Sequence, residues 1–181
     1  MRKLKLYIWI VLLSFPFLSA AQDAKEELLD WNNGKKLVWT DYKGKVDPSS
    51  DAAASTATYL GIDYNISNGA VTYKITCRFS KDKSWGRYQS DYILSHEQGH
   101  FDITEIFARK LNKVMSDYKF NRSTYEHDLQ KIYQDILDEK EKMQDQYDNE
   151  TDYSRNKEKQ AEWLKKIEKM LEELKDFVNY N

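Results

Sequence analysis

Three residues in the middle of the chain have the types and spacing of a hydrolytic metal site. His96, Glu97 and His100 lie within the pentapeptide HEQGH, which holds two of the chain's three histidines. On a helix, positions i and i+4 share a face one turn apart, so both imidazoles can aim a nitrogen at one point. Zinc takes imidazole nitrogen at about 2 Å, and a pair at this spacing supplies half of a tetrahedral ligand set. Glu97 is turned about 100° around the helix from His96. It is badly placed to ligate from there, but it can reach a water beside the ion and take its proton. The competing reading is a buried histidine pair held by ordinary hydrogen bonds. The histidine face continues into Ile103, Phe107 and Leu111, so both rings turn inward, and buried polar rings need partners.

Two histidines leave the set incomplete. Ile106 stands where a longer zinc motif would carry its third histidine. Asp102 and Glu105 lie far around the helix and read as groups that orient or cap their neighbours. Gln98 and Gly99 read as permissive, with Gly99 allowing a strand or helix to come close. Further along, His127 falls in the first turn of a predicted helix. The polar stretch YDNETDY, at 147–153, offers Asp148, Glu150, Asp152 and Tyr153. It reads as a loop that breaks a helical hairpin and could return a ligand to the histidines. Spacing alone does not choose among these residues.

These groups need elements to hold them. Leu60, Ile62, Tyr64 and Ile66 alternate with polar or small residues, as do Val71, Tyr73, Ile75, Cys77 and Phe79. Asn68-Gly69 between the runs suits a tight turn, so residues 58–80 are predicted to form a β-hairpin with one apolar face. Such a hairpin just before the motif also offers an edge strand that could pair with an extended peptide. Cys77, on the apolar face, reads as a small buried residue. From about residue 90 the period becomes helical. A first helix over 90–118 carries HEQGH, with Ile103, Phe107, Leu111 and Val114 as its stripe. A second opens at Ser123 with Glu126 as a capping box, and buries Leu129, Ile132, Ile136 and Met143. After an interruption at 147–156 a third aligns Leu164, Ile167, Leu171, Leu174 and Val178. Before the hairpin, residues 22–57 form a polar lead-in with one candidate strand, KLVW at 36–39, and a loop at 47–57. Strands first and helices after, without alternation, predict an α+β fold: a small antiparallel sheet followed by three helices, the first carrying the motif in a zincin-like arrangement.

The N-terminus bears on compartment. Arg2, Lys3 and Lys5 precede the apolar run LYIWIVLLSFPFL, and Ser19 and Ala21 stand at small-residue positions before Gln22. This layout predicts a signal peptide over 1–21 and export to the periplasm or beyond, and the run is too short to span a bilayer comfortably. A single domain over 22–181 remains, with no membrane span. Of 28 basic residues three stand in that head, so the 30 acidic residues outweigh the rest by about five. That balance points away from nucleic acid and anionic membrane surfaces. With one cysteine, no internal disulfide can form.

Several stretches resemble one family. LVWTDYKG at 37–44, Ser84-Trp85, HEQGHFDITEIFARKL at 96–111, YDNET at 147–151 and KQAEW at 159–163 are similar to domain-of-unknown-function family 922. Its members are secreted bacterial proteins labelled zinc-dependent proteases. The resemblance implies His96 and His100 as zinc ligands and Glu97 as catalytic base. It also implies a third ligand two residues after the threonine of YDNET, where relatives tend to carry histidine and this chain has Tyr153. Glu150 and His127 are the alternatives to Tyr153 there. The expected function is a secreted zinc-dependent hydrolase, a metallopeptidase acting on peptide or protein substrates. The contrasting expectation is a catalytically degenerate exported relative that binds a partner through its charged helices.

Overall fold

The computed structural model describes residues 26–180. The predicted signal peptide over 1–21 lies outside the described residues. Among them, no helix is long and apolar enough to cross a membrane.

The fold is α+β, with two small antiparallel sheets and three helices. Strands β3 (Thr58–Ser67) and β4 (Ala70–Ser80) form the predicted hairpin. Asn68 and Gly69 close it at φ 52° and 75°. Both values are left-handed, as the two-residue turn that matches strand twist requires. On the other edge of β4 lies β1 (Leu28–Asp30), with Leu28 opposite Ser80. The second sheet pairs β2 (Ala54–Ser55) with β5 (Trp85–Gly86).

Helix α1 (Asp91–Asp117) packs across the apolar face of the hairpin, and α2 (Tyr125–Thr151) and α3 (Lys157–Glu173) cover its other side. This central position explains its burial. Ile103, Ile106, Phe107 and Leu111 are sealed, together with Ile75, Cys77 and Phe79 from β4. Each large side chain so buried contributes about 1.5–3 kcal/mol. Ser90 caps α1, its Oγ accepting from the Ile93 N–H at 3.2 Å.

Several sequence expectations need correction. KLVW is not a strand: Leu37 is buried and Trp39–Asp41 form a 3-10 turn. Its backbone bonds to a side chain instead, Leu37 N–H donating to Gln98 Oε1 at 2.8 Å. Gln98 also donates to Asp102 Oδ1 at 2.8 Å, and Asp102 holds Trp31 Nε1 at 2.8 Å and Lys36 at 3.2 Å. Gln98 and Asp102 therefore strap the lead-in to α1. The capping box at Ser123 does not form; Thr124 occupies the cap of α2, and its hydroxyl donates to Asp128 at 2.6 Å. Val114 is exposed, because the buried stripe of α1 continues from Leu111 to Met115, and Val114 lies about 100° around the helix from Met115. In α3 the buried residues are Gln160, Trp163 and Ile167. Leu164, Leu171 and Val178 instead line an open groove of about 1150 Å³ between α3 and the lead-in.

Candidate metal centre

Helix α2 runs beside the motif and presents Gln144, Tyr147 and Asp148 to it, three positions that share one helix face. The approach depends on Gly99. A Cβ there would lie 2.5 Å from the Tyr147 hydroxyl, and Tyr147 is fully buried. Its ring stacks on His96 at 4.5 Å and meets His100 edge-on at 5.0 Å, and its hydroxyl donates to the His96 carbonyl at 3.2 Å.

With α2 seated, three ligand-type atoms converge. Asp148 Oδ1 lies 3.1 Å from His96 Nε2 and 3.1 Å from His100 Nε2. The two Nε2 atoms are 3.3 Å apart. Ligand atoms about 2 Å from a tetrahedral ion are separated by about 3.3 Å. The triangle therefore has nearly the dimensions of one face of a tetrahedral zinc set. Among the described residues these are the side chains that could hold a metal ion together.

Neighbours orient the ligands. His100 Nδ1 is 2.6 Å from Gln144 Oε1. The Gln144 amide donates to the His100 carbonyl at 2.9 Å and to Thr104 Oγ1 at 3.3 Å. The amide is thereby fixed with its oxygen toward the ring, so Nδ1 carries a proton and Nε2 is the nitrogen turned to the triangle, where an arriving metal ion would take the place of any proton on it. His96 Nδ1 is buried with no protein partner, and stacking on Tyr147 sets that ring. Burial opposes a charge on Asp148, but hydrogen bonds from His100 and His96 outweigh it and hold the carboxyl well below its usual range. Burial likewise opposes a charge on His100, yet the hydrogen bond and charge of Asp148, with the charge of Glu97, push it up.

Glu97 is 5% exposed, and among the described residues its carboxylate accepts no hydrogen bond. Its charge is felt by His100, by Tyr147 and by Tyr42, whose phenols burial and this charge push far up. Tyr42 packs between Trp39 and Phe79, and its hydroxyl pairs with Thr56 Oγ1 at 2.9 Å. The Glu97 oxygens are not among the sealed polar atoms that lack a partner, which are Trp39 Nε1, His96 Nδ1 and Gln160 Oε1, so the carboxylate keeps contact with solvent.

His96, His100 and Glu97 are thus brought together, but Tyr153, Glu150 and His127 do not join them. Glu150 is engaged by Trp163 Nε1 at 2.7 Å and Gln146 at 2.6 Å. Tyr153 is half-exposed, its ring beside the Arg155 guanidinium. His127 starts α2, about 30 Å along the helix from Asp148. The third member of the cluster is Asp148. Its signal was the buried series Met143, Tyr147, Thr151, which carries the helix period past 147. The free edge of the hairpin is also remote, flanking Leu111 and Met115, roughly 20 Å along α1 from His100. The large groove beside α3 contains neither histidine nor Glu97.

An α+β chain with a His-His-Asp cluster between two long helices defines the class of protein. The particular family follows from sequence: residues 41–156 match the family described as bacterial protein of unknown function (DUF922), and the chain belongs to it. The matched span holds every residue of the cluster. No curated protein and no solved structure gives a significant match.

Proposed function

We propose that this protein is an exported zinc-dependent hydrolase of zincin-like design, cleaving peptide bonds. The observation that carries the reading is the triangle of His96 Nε2, His100 Nε2 and Asp148 Oδ1, with edges of 3.1, 3.1 and 3.3 Å. Two neutral imidazoles and one carboxylate are a donor set that suits zinc and leaves a fourth position open. Zinc bound there would lower the pKa of a water to about 7 and polarise a carbonyl. Glu97 would be the proton acceptor: it sits next to His96 in sequence, is 5% exposed, and among the described residues spends its carboxylate on no hydrogen bond. It would then return the proton to the leaving amine. Gln144 and Tyr147 keep the imidazoles oriented while this happens. The reading as a degenerate binding module rested on the missing histidine at Tyr153; Asp148 as third ligand would supply what that reading takes to be lost.

The test is elemental analysis of the purified full chain alongside hydrolysis of a mixed peptide library. About one zinc per chain is expected, lost in the double variant His96→Ala/His100→Ala. Glu97→Gln should keep the zinc and lose about 10²- to 10⁴-fold in turnover. Hydrolysis that survives Glu97→Gln would overturn the mechanism, and zinc absent from the unmodified chain would overturn the site.

A further inference from the structure

We infer that strand β3 is a dimerisation edge, pairing antiparallel with β3 of a second copy about a two-fold axis at Tyr64. The inference does not rest on the hydrolase reading.

The sheet order is β1-β4-β3, so the outer side of β3 has no strand neighbour among the described residues. Ser67 and Ala70 flank a two-residue turn and form the hydrogen-bonded pair that closes it. Counting back, the odd residues of β3 bond to β4, and the even ones turn N–H and C=O outward. The Leu60 carbonyl fits this alternation, since it accepts from the Tyr133 hydroxyl of α2 at 2.6 Å. That contact closes the edge at Leu60 and leaves Ile62, Tyr64 and Ile66 free. Three residues with outward backbone groups, centred on Tyr64, can exchange six hydrogen bonds with a copy of themselves.

Their side chains support the same register. Two-fold pairing sets Ile62 against Ile66 of the copy and Tyr64 against Tyr64, all on one face, where cross-strand apolar pairs stabilise a sheet. On the other face Asp63, the one charged residue of β3, meets Asn65, so no like charges oppose. Centring on Asp63 would place two carboxylates face to face and would pair the wrong backbone groups. β3 carries no proline, lysine or bulge, three of the devices that blunt an edge, and the cover from α2 stops at Leu60. Tyr64 is 47% exposed. Beside it a groove of about 610 Å³ runs between β3 and the start of α2, floored by Leu111, Met115 and Leu129. It leaves room for apolar side chains of the added strand.

The test is sedimentation equilibrium of the full chain, with Tyr64→Lys and Tyr64→Glu variants measured alone and mixed. A reversible dimer is expected for the unmodified chain, weakened at least about tenfold in each variant by like charges at the axis. Mixing the variants sets Lys against Glu and should restore a heterodimer, which a merely misfolded variant would not form. Val38→Lys, at an exposed position away from the edge, should leave association unchanged. A monomer at concentrations on the order of 100 µM, or a dimer indifferent to the Tyr64 variants, would overturn the inference. So would variants that fail to associate on mixing.

Discussion

Asp148 sets a carboxylate against both histidines of the motif, and the contacts around it give residue-level predictions. Its Oδ1 touches both imidazoles, so Asp148→Asn removes the charge but keeps the shape. We expect zinc affinity to fall by more than about tenfold, since even outer contacts of a metal site are worth 10- to 100-fold. Glu150→Gln and Tyr153→Phe, whose side chains are engaged elsewhere, should retain zinc. Stoichiometry after dialysis against a mild chelator separates these outcomes, and zinc loss in Tyr153→Phe with retention in Asp148→Asn would reverse the assignment. Gln144 has no part in the triangle, yet it fixes the proton on His100 Nδ1. Gln144→Ala should therefore weaken zinc by about 10- to 100-fold while leaving the fold intact, as read by a chelator competition titration. Gln144→Glu would keep an acceptor for Nδ1–H and should bind more tightly than the alanine variant.

The elements matter because α1 delivers two members of the cluster and α2 the third, and their approach is set by one glycine. In Gly99→Ala the new methyl would lie 2.5 Å from the hydroxyl of a fully buried tyrosine. Overpacking of this kind costs about 1–3 kcal/mol, more than the roughly 1 kcal/mol that alanine gains over glycine in a helix. We expect net destabilisation in urea unfolding and weaker zinc binding, because Tyr147 moves and carries α2 with it. Gly99→Ala with unchanged stability and zinc affinity would show that α2 is not held by this contact. The same pair of helices shows what was legible beforehand. The hairpin and α1 could be read because alternation and the 3.6-residue period run unbroken through 58–80 and 91–111. HEQGH gave both histidines because i and i+4 spacing is local. Asp148 stood as one of four candidates that spacing could not rank, because the run YDNETDY is polar enough to read as a loop, whereas tertiary packing of Tyr147 and Thr151 keeps it helical to Thr151. The short β1 and the non-strand at Leu37 were hidden, since their partners, Ser80 and Gln98, are more than 50 residues away.

For the whole molecule, zinc would act as a cross-link between α1 and α2 in a chain with a single cysteine and hence no internal disulfide. An ion that binds the folded state alone stabilises it by about 2.7 kcal/mol at a hundredfold excess over its dissociation constant. For a chain of this length, each kcal/mol raises Tm by about 2–4 °C. Saturating zinc should therefore raise Tm by about 5–10 °C, and a strong chelator should reverse the shift in calorimetry. Glu97→Gln should keep the full shift, because Glu97 is not part of the triangle, whereas His96→Ala/His100→Ala should abolish it. The edge of β3 lies roughly 20 Å along α1 from the cluster, so chelation should lower Tm without dissociating a β3-paired dimer. If zinc removal also dissolved the dimer, the two equilibria would be coupled through α1. If zinc left Tm unchanged in the unmodified chain, His96, His100 and Asp148 would be a hydrogen-bonded, partly buried trio with no metal to hold.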